Sequence, residues 1–193
     1  MRRWTFALCS AAAGLLLSGA AHAYQIDPLT RQPLVDTYPE SAKPQATAVP
    51  RETVSYDGRF SPGTIVISTS ERRMYYVLGD GKAVRYGIGV GRPGFEWSGV
   101  KTVTMKREWP DWRPPSEMLR RRPDLPRYMP GGPDNPLGAR AMYLGTSLYR
   151  IHGSNEPETI GQAVSSGCIR MVNEDVIDLY ERVKVGAKVI VQH

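Results

Sequence analysis

The residues able to do chemistry are gathered in Ile151–Met171, read I-H-G-S-N-E-P-E-T-I-G-Q-A-V-S-S-G-C-I-R-M. This stretch holds Cys168, the one cysteine beyond the N-terminal apolar run, and His152, the one histidine away from the chain's ends. A free thiol has a pKa of ~8.5 and is mostly protonated at neutral pH. It becomes a nucleophile when a base takes its proton or a neighbouring imidazolium lowers its pKa. His152 can serve either way, and can later return the proton to a leaving amine as general acid. Gly167 permits close backbone approach, so the N–H groups of Gly167 and Cys168 form a candidate oxyanion hole. Arg170, two residues on, suits a substrate carboxylate or a brace for the loop. The sequence carries no zinc-ligand spacing, so no metal site is expected.

The start of the chain sets where such a thiol would work. Residues 1–23 have a basic opening (Arg2, Arg3), an apolar run from Trp4 to Leu17 and small residues ending in Ala21-His22-Ala23. That is the pattern of a cleaved export signal. The apolar run is short for a bilayer span of roughly 20 residues, so no stable membrane span is expected after cleavage. Export sets aside nucleic acid as the reason for the net charge of +6. It also makes a lone mature cysteine notable, because exported proteins usually carry cysteines in disulfide pairs.

The elements that must position His152 and Cys168 read as mainly β. Gly and Pro number 19 and 16 in 193 residues, a turn-rich composition. Residues 24–55, with five prolines and little periodicity, read as an extended tether, and 56–193 as the folded domain. Thr64–Ser68, Met74–Leu78, the alternation from Ala83 to Val90, and Val100–Met105 read as antiparallel strands of one sheet. Gly79-Asp80-Gly81 marks a hairpin between two of them. The eight prolines between Trp109 and Pro136 argue against helix interior and central strand there. A loop this long suggests a lid, with Arg120-Arg121-Arg122 and nearby aromatics on its inner face, or a solvated insertion. Ala141–Leu144 and Leu148–Ile151 read as short strands, the second delivering His152. Glu156–Gly161 reads as one helical turn. Asn173 reads as the N-cap of a helix whose buried stripe is Val172, Val176, Tyr180 and Val183, followed by a closing strand at Lys188–Val191.

Chain order separates this segment from two other cysteine enzymes. Papain-like and wall-peptidase hydrolases place the cysteine well before the histidine; sortases have longer gaps to the histidine and to the arginine. His152-Gly153-Ser154, a gap of about 16 residues, and Ser165-Ser166-Gly167-Cys168-Ile169-Arg170-Met171 instead resemble the active-site signature of L,D-transpeptidases of the YkuD or ErfK/YbiS/YcfS/YnhG type. Pro62–Ile67, Ala83–Gly91 and Asn135–Leu144 resemble other parts of that domain, so the likeness runs from about Ser61 to Gln192. The family commonly has histidine where this chain has Ser166, which leaves His152 as the base.

The resemblance implies a mainly β fold, a curved sheet or β-sandwich with one or two short helices. It implies that Cys168 attacks the residue-3 (diaminopimelate) carbonyl of a peptidoglycan tetrapeptide stem and releases D-alanine. The acyl group would pass to an amine, giving a 3→3 cross-link or attachment to a lipoprotein lysine. His152 would be the general base and acid, with a backbone carbonyl at Gly153 or Ser154 orienting its ring. Arg170, Ser166 and Tyr143 would contact substrate. No cofactor is called for, because a thioester stores the peptide-bond energy between the two steps. Two alternatives stay open: a hydrolase giving the same thioester to water, and a non-catalytic wall-binding module.

Overall fold

A computed structural model describes residues 49–193. The expected export signal and most of the expected tether lie outside the described residues. Among the described residues eleven strands and two short helices follow one another. They are β1 (Glu52–Ser55), β2 (Ile65–Ser68), β3 (Arg73–Gly79), β4 (Lys82–Gly87), β5 (Val90–Gly91), β6 (Gly99–Glu108), α1 (Ser116–Arg121) and β7 (Arg140–Leu144). After these come β8 (Arg150–His152), β9 (Ala163–Ser165), β10 (Ile169–Arg170), α2 (Asn173–Arg182) and β11 (Lys188–Gln192).

Nine strands form one mixed sheet in the order β1-β4-β3-β2-β11-β6-β7-β8-β10, and β5 pairs with β9 in a small second ladder. The hairpin between β3 and β4 is antiparallel, as its turn residues demand, but β2 runs parallel to β11 and β8 parallel to β10. β2 lies inside the sheet and is buried at every position, which suits its Ile-Val-Ile run. The sheet is strongly curved: Gly89, just after β4, forms an antiparallel bridge with Arg170 on the far edge strand β10. That bridge carries hydrogen bonds of 2.9 Å in both directions. The core lies within the curve, where Ile65, Ile67, Tyr86, Met142, Ile151 and Met171 meet Val176 and Leu179 of α2 and Val183 just beyond its end. Each such buried aliphatic side chain contributes about 1.5–3 kcal/mol. The expectation of a mainly β curved sheet with short helices is met.

Four local expectations change. β1 falls inside the expected tether and pairs with β4 from Glu52↔Arg85 to Ser55↔Lys82, so the sheet begins before residue 56. The proline-rich segment does hold a helix, because the six residues of α1 fit between Pro115 and Pro123. The helical turn after His152 is a 3-10 turn at Pro157–Thr159. Asn173 is not the N-cap of α2; Val172 stands there. The Asn173 Oδ1 accepts instead from the Ala139 N–H at 2.9 Å, a tertiary partner that outcompetes the local one.

Candidate catalytic site

Pairing across β7, β8 and β10 decides which side chains share a face. Met142, Ile151 and Ile169 are successive register partners, and all three belong to the core. Side chains alternate along a strand. The opposite face therefore carries Tyr143, opposite Arg150, and Ala141, opposite His152, which is itself opposite Arg170. Cys168 lies two residues before Arg170, in phase with it and one step from the Arg150 position. Fifteen residues of intervening chain, 153–167, are thereby folded back, and His152, Cys168, Arg150 and Arg170 come to one face. The thiol is half-buried, and its Sγ lies 3.7 Å from the Leu148 carbonyl oxygen.

His152 is buried, with 4% exposure, and its Nδ1 lies 2.6 Å from the Gly153 carbonyl oxygen. A carbonyl only accepts, so this contact assigns the proton to Nδ1 and leaves Nε2 with a free lone pair. The Gly153 corner is itself clamped. A Cβ there would collide with Asn173 Oδ1 and stand 3.0 Å from the Ala139 nitrogen. The residue that fails to cap α2 thus fills the space beside the imidazole's partner. Burial, followed by the charge of Arg170, lowers the His152 pKa to about 3; the Gly153 hydrogen bond opposes this, and Arg150 reinforces it. Burial also raises the Cys168 thiol, against the Arg150 hydrogen bond and the charges of Arg150 and Arg170. Both shifts favour a neutral thiol and a neutral imidazole. The low-pKa thiolate considered from sequence is therefore not what these surroundings favour at rest.

The turn into Cys168 is held by groups that sequence reasoning missed. Ser165 Oγ donates to the Cys168 carbonyl oxygen at 2.6 Å and accepts from the Gly167 N–H at 3.1 Å. That second bond alters the expectation for Gly167, because the amide proposed for an oxyanion hole already has a partner. Gly167 adopts φ +101°, and a Cβ on it would stand 2.5 Å from Tyr149 Cε1. Tyr149 stacks on Trp97 with ring centroids 4.6 Å apart and planes at 9°. Trp97 Nε1 donates to the Gly167 carbonyl oxygen at 2.8 Å. The serine two residues before the glycine is a recognisable side-chain-to-backbone turn signal. Trp97 and Tyr149 lie too far away in sequence for any local pattern to reveal them.

The three residues expected to contact substrate separate. Arg170 Nη1 is held by Glu156 Oε2 at 3.0 Å and Thr159 Oγ1 at 3.4 Å, which makes the arginine a brace between β10 and the 3-10 turn. Tyr143 lies beneath Arg150, whose guanidinium carbon is 5.0 Å from the ring centroid. Ser166 is half-buried at the turn, and among the described residues its hydroxyl has no hydrogen-bond partner. In the 109–136 segment, Arg121 lies over the Phe95 ring at 5.4 Å, and the Phe95 carbonyl is 3.2 Å from where a Gly167 Cβ would stand. Arg120 and Arg122 pair instead with Glu117 and Asp124. Among the described residues no cluster of His, Cys, Asp and Glu could hold a metal ion.

Residues 62–191 match the model of the YkuD family, described as the L,D-transpeptidase catalytic domain. A probable L,D-transpeptidase ErfK/SrfK of Escherichia coli K12 is 42% identical over 134 residues, which are 65% of this chain and 42% of that one. A solved Brucella melitensis structure, named a probable carnitine operon oxidoreductase, is 46% identical with a TM-score of 0.51, covering 79% of this chain and 97% of that one. The fold alone is shared with an L,D-transpeptidase from Mycobacterium tuberculosis H37Rv, at 20% identity, a TM-score of 0.53 and coverage of 67% and 57%. The chain spans less than half the length of its Escherichia coli relative.

Proposed function

Because this chain belongs to the YkuD family of L,D-transpeptidase catalytic domains, we propose that it is a cysteine-dependent acyltransferase acting on peptidoglycan stem peptides after export to the periplasm. The observation that supports this reading is the parallel pairing of β8 with β10, which joins the strand ending in His152 to the strand that begins just after Cys168, while the Gly153 carbonyl holds the His152 Nδ1. In the first step His152 Nε2 takes the Cys168 proton as sulfur attacks the residue-3 carbonyl carbon of a tetrapeptide stem. The Cys168 N–H is the available backbone donor for the oxyanion, since Ser165 holds that of Gly167. Collapse breaks the amide bond, and the Nε2 proton goes to the departing D-alanine amine, leaving a thioester. An acceptor amine then attacks the thioester. His152 removes its extra proton and returns one to the sulfur, so the enzyme is regenerated.

The neutral resting pair suits this cycle. A half-buried thiol that ionises only as it attacks leaves no standing charge unpaired in the site. Gly153 orients the base through its carbonyl, Ser165 sets the turn, and Arg170 braces β10.

The test is to incubate the protein and its Cys168→Ala variant with purified disaccharide-tetrapeptide and weigh the products. A cross-linked dimer with released D-alanine supports transfer. Tripeptide alone moves the assignment to the hydrolase reading, and unchanged turnover by Cys168→Ala would sink the nucleophile altogether. A lipoprotein lysine as acceptor is tested by adding a lysine-terminated peptide and looking for its stem adduct.

A further inference from the structure

Among the described residues four arginines have a buried Nε with no hydrogen-bond partner: Arg85, Arg140, Arg150 and Arg170. Three of them spend their terminal nitrogens on a carboxylate. Arg85 pairs with Glu52, Arg140 with Glu108 at 3.1 Å and Arg170 with Glu156 at 3.0 Å. Among the described residues Arg150 has no such partner. Its guanidinium rests on the Tyr143 ring at 5.0 Å, which orients the planar fork while satisfying none of its N–H groups. An aromatic face supplies little to a half-buried guanidinium compared with a charge-assisted hydrogen bond.

The position of this cation, which has no carboxylate partner among the described residues, is set by the sheet. Ile151 pairs with Ile169 across the parallel β8–β10 ladder, so Arg150 stands across from Cys168, on the same face and about 4.8 Å away at strand spacing. A peptide whose scissile carbonyl lies at the sulfur carries its next carbonyl carbon within about 4 Å of that point. When the leaving residue is the last in the chain, that carbon belongs to a free carboxylate. We infer that Arg150 is the substrate-binding residue that reads the C-terminal carboxylate of the leaving amino acid, with Tyr143 holding its guanidinium in place. This assignment rests on the acyl-transfer reading for the direction in which substrate lies. It moves carboxylate recognition from Arg170, which is already paired, to a residue that the signature motif does not contain. A donor stem with one further residue, or with an amidated end, would leave Arg150 buried and unpaired against a neutral group.

The test uses two synthetic donor tetrapeptides that differ only in a free or an amidated C-terminal D-alanine. Turnover and binding are measured separately. For wild type, kcat/KM is expected to favour the free acid by about 10- to 100-fold, the range of a hydrogen bond to a charged group. Because the Arg150 charge also acts on the thiol and the imidazole, the readout is the acid-to-amide ratio of kcat/KM. This ratio should fall to about 1 in Arg150→Gln, the range of the lost charged hydrogen bond; Arg150→Lys, which keeps the charge without the fork, should fall between. Thermal melts confirm that each variant is folded. Calorimetric binding of both peptides to Cys168→Ala needs no turnover, so it stands apart from the transfer reading. Preference for the acid there, with no turnover by wild type, would keep the anchor and remove the transferase assignment. Turnover by wild type without preference would do the reverse. Equal loss on both peptides in Arg150→Gln, or equal or absent binding to Cys168→Ala, would overturn the proposal. So would loss of the preference in Lys101→Gln, the cation above the Trp97–Tyr149 stack, with Arg150→Gln unaffected.

Discussion

Replacing His152 by Asn removes a titrating group that folding forces to stay neutral. In the folded chain its pKa is lowered from 6.5 to about 3, chiefly by burial; in the unfolded chain it returns to the ordinary value. Between these limits the unfolded state binds a proton that the folded state refuses, so stability from this group falls as pH falls. It is fully present above about pH 7, and its loss is complete only below the folded value. Each pH unit inside the window costs about 1.4 kcal/mol, so acidification to pH 4.5 removes on the order of 3 kcal/mol through His152 alone. That is a large share of the 5–15 kcal/mol typical of a domain. Asp178, whose carboxyl is held low by its hydrogen bond from Arg182, also loses stabilisation in acid, but does so in wild type and variant alike. The assay is therefore a difference: urea unfolding at pH 7.5 and pH 4.5 at fixed ionic strength, for wild type and His152→Asn. Asn is close in size, and its amide can donate to the Gly153 carbonyl as the imidazole does. Wild type should lose about 2–3 kcal/mol more than the variant across this interval. Equal losses, within about 0.5 kcal/mol, would mean that the imidazole is not held neutral by burial, and the account of the resting pair would fail with it.

Two further outcomes follow from the walls of the site. Gly167→Ala puts a Cβ 2.5 Å from Tyr149 Cε1 at φ +101°, and Tyr149 cannot easily retreat because Trp97 stacks on it and is tied to the Gly167 carbonyl. Backbone strain and overpacking together should cost about 2–4 kcal/mol, seen as a lower Tm and a changed rate of Cys168 alkylation; a wild-type melt would refute the tight packing. Arg121→Ala should lower kcat/KM about 2- to 5-fold, the range of an exposed cation–π contact, whereas Arg120→Ala and Arg122→Ala should match wild type. Equal effects at all three positions would return the 109–136 segment to a solvated insertion.

Much of the frame was legible in the chain itself. Alternation and β-branched runs located β2, β3, β4, β6, β7 and β11, since side-chain period and propensity are local properties. The His–Cys–Arg signature and the Gly after His152 were likewise visible, because close backbone approach and nucleophile chemistry each restrict the residue type at one position. Three matters were not legible, for one reason: they depend on which distant segments become neighbours. Asn173 reads as a helix cap in isolation, yet folds onto the Ala139 N–H and the Gly153 corner. Gly167 reads as an oxyanion donor until Ser165 takes its N–H. Arg170 and Arg150 are chemically identical in sequence; only the parallel register of β8 with β10, and the placement of Glu156, gives one a carboxylate and leaves the other beside the thiol without one. The sequence by itself determined which groups could react. Tertiary pairing decided their protonation, their partners and which of them remain available to a substrate, because burial and electrostatic interaction are properties of surroundings that no single segment contains.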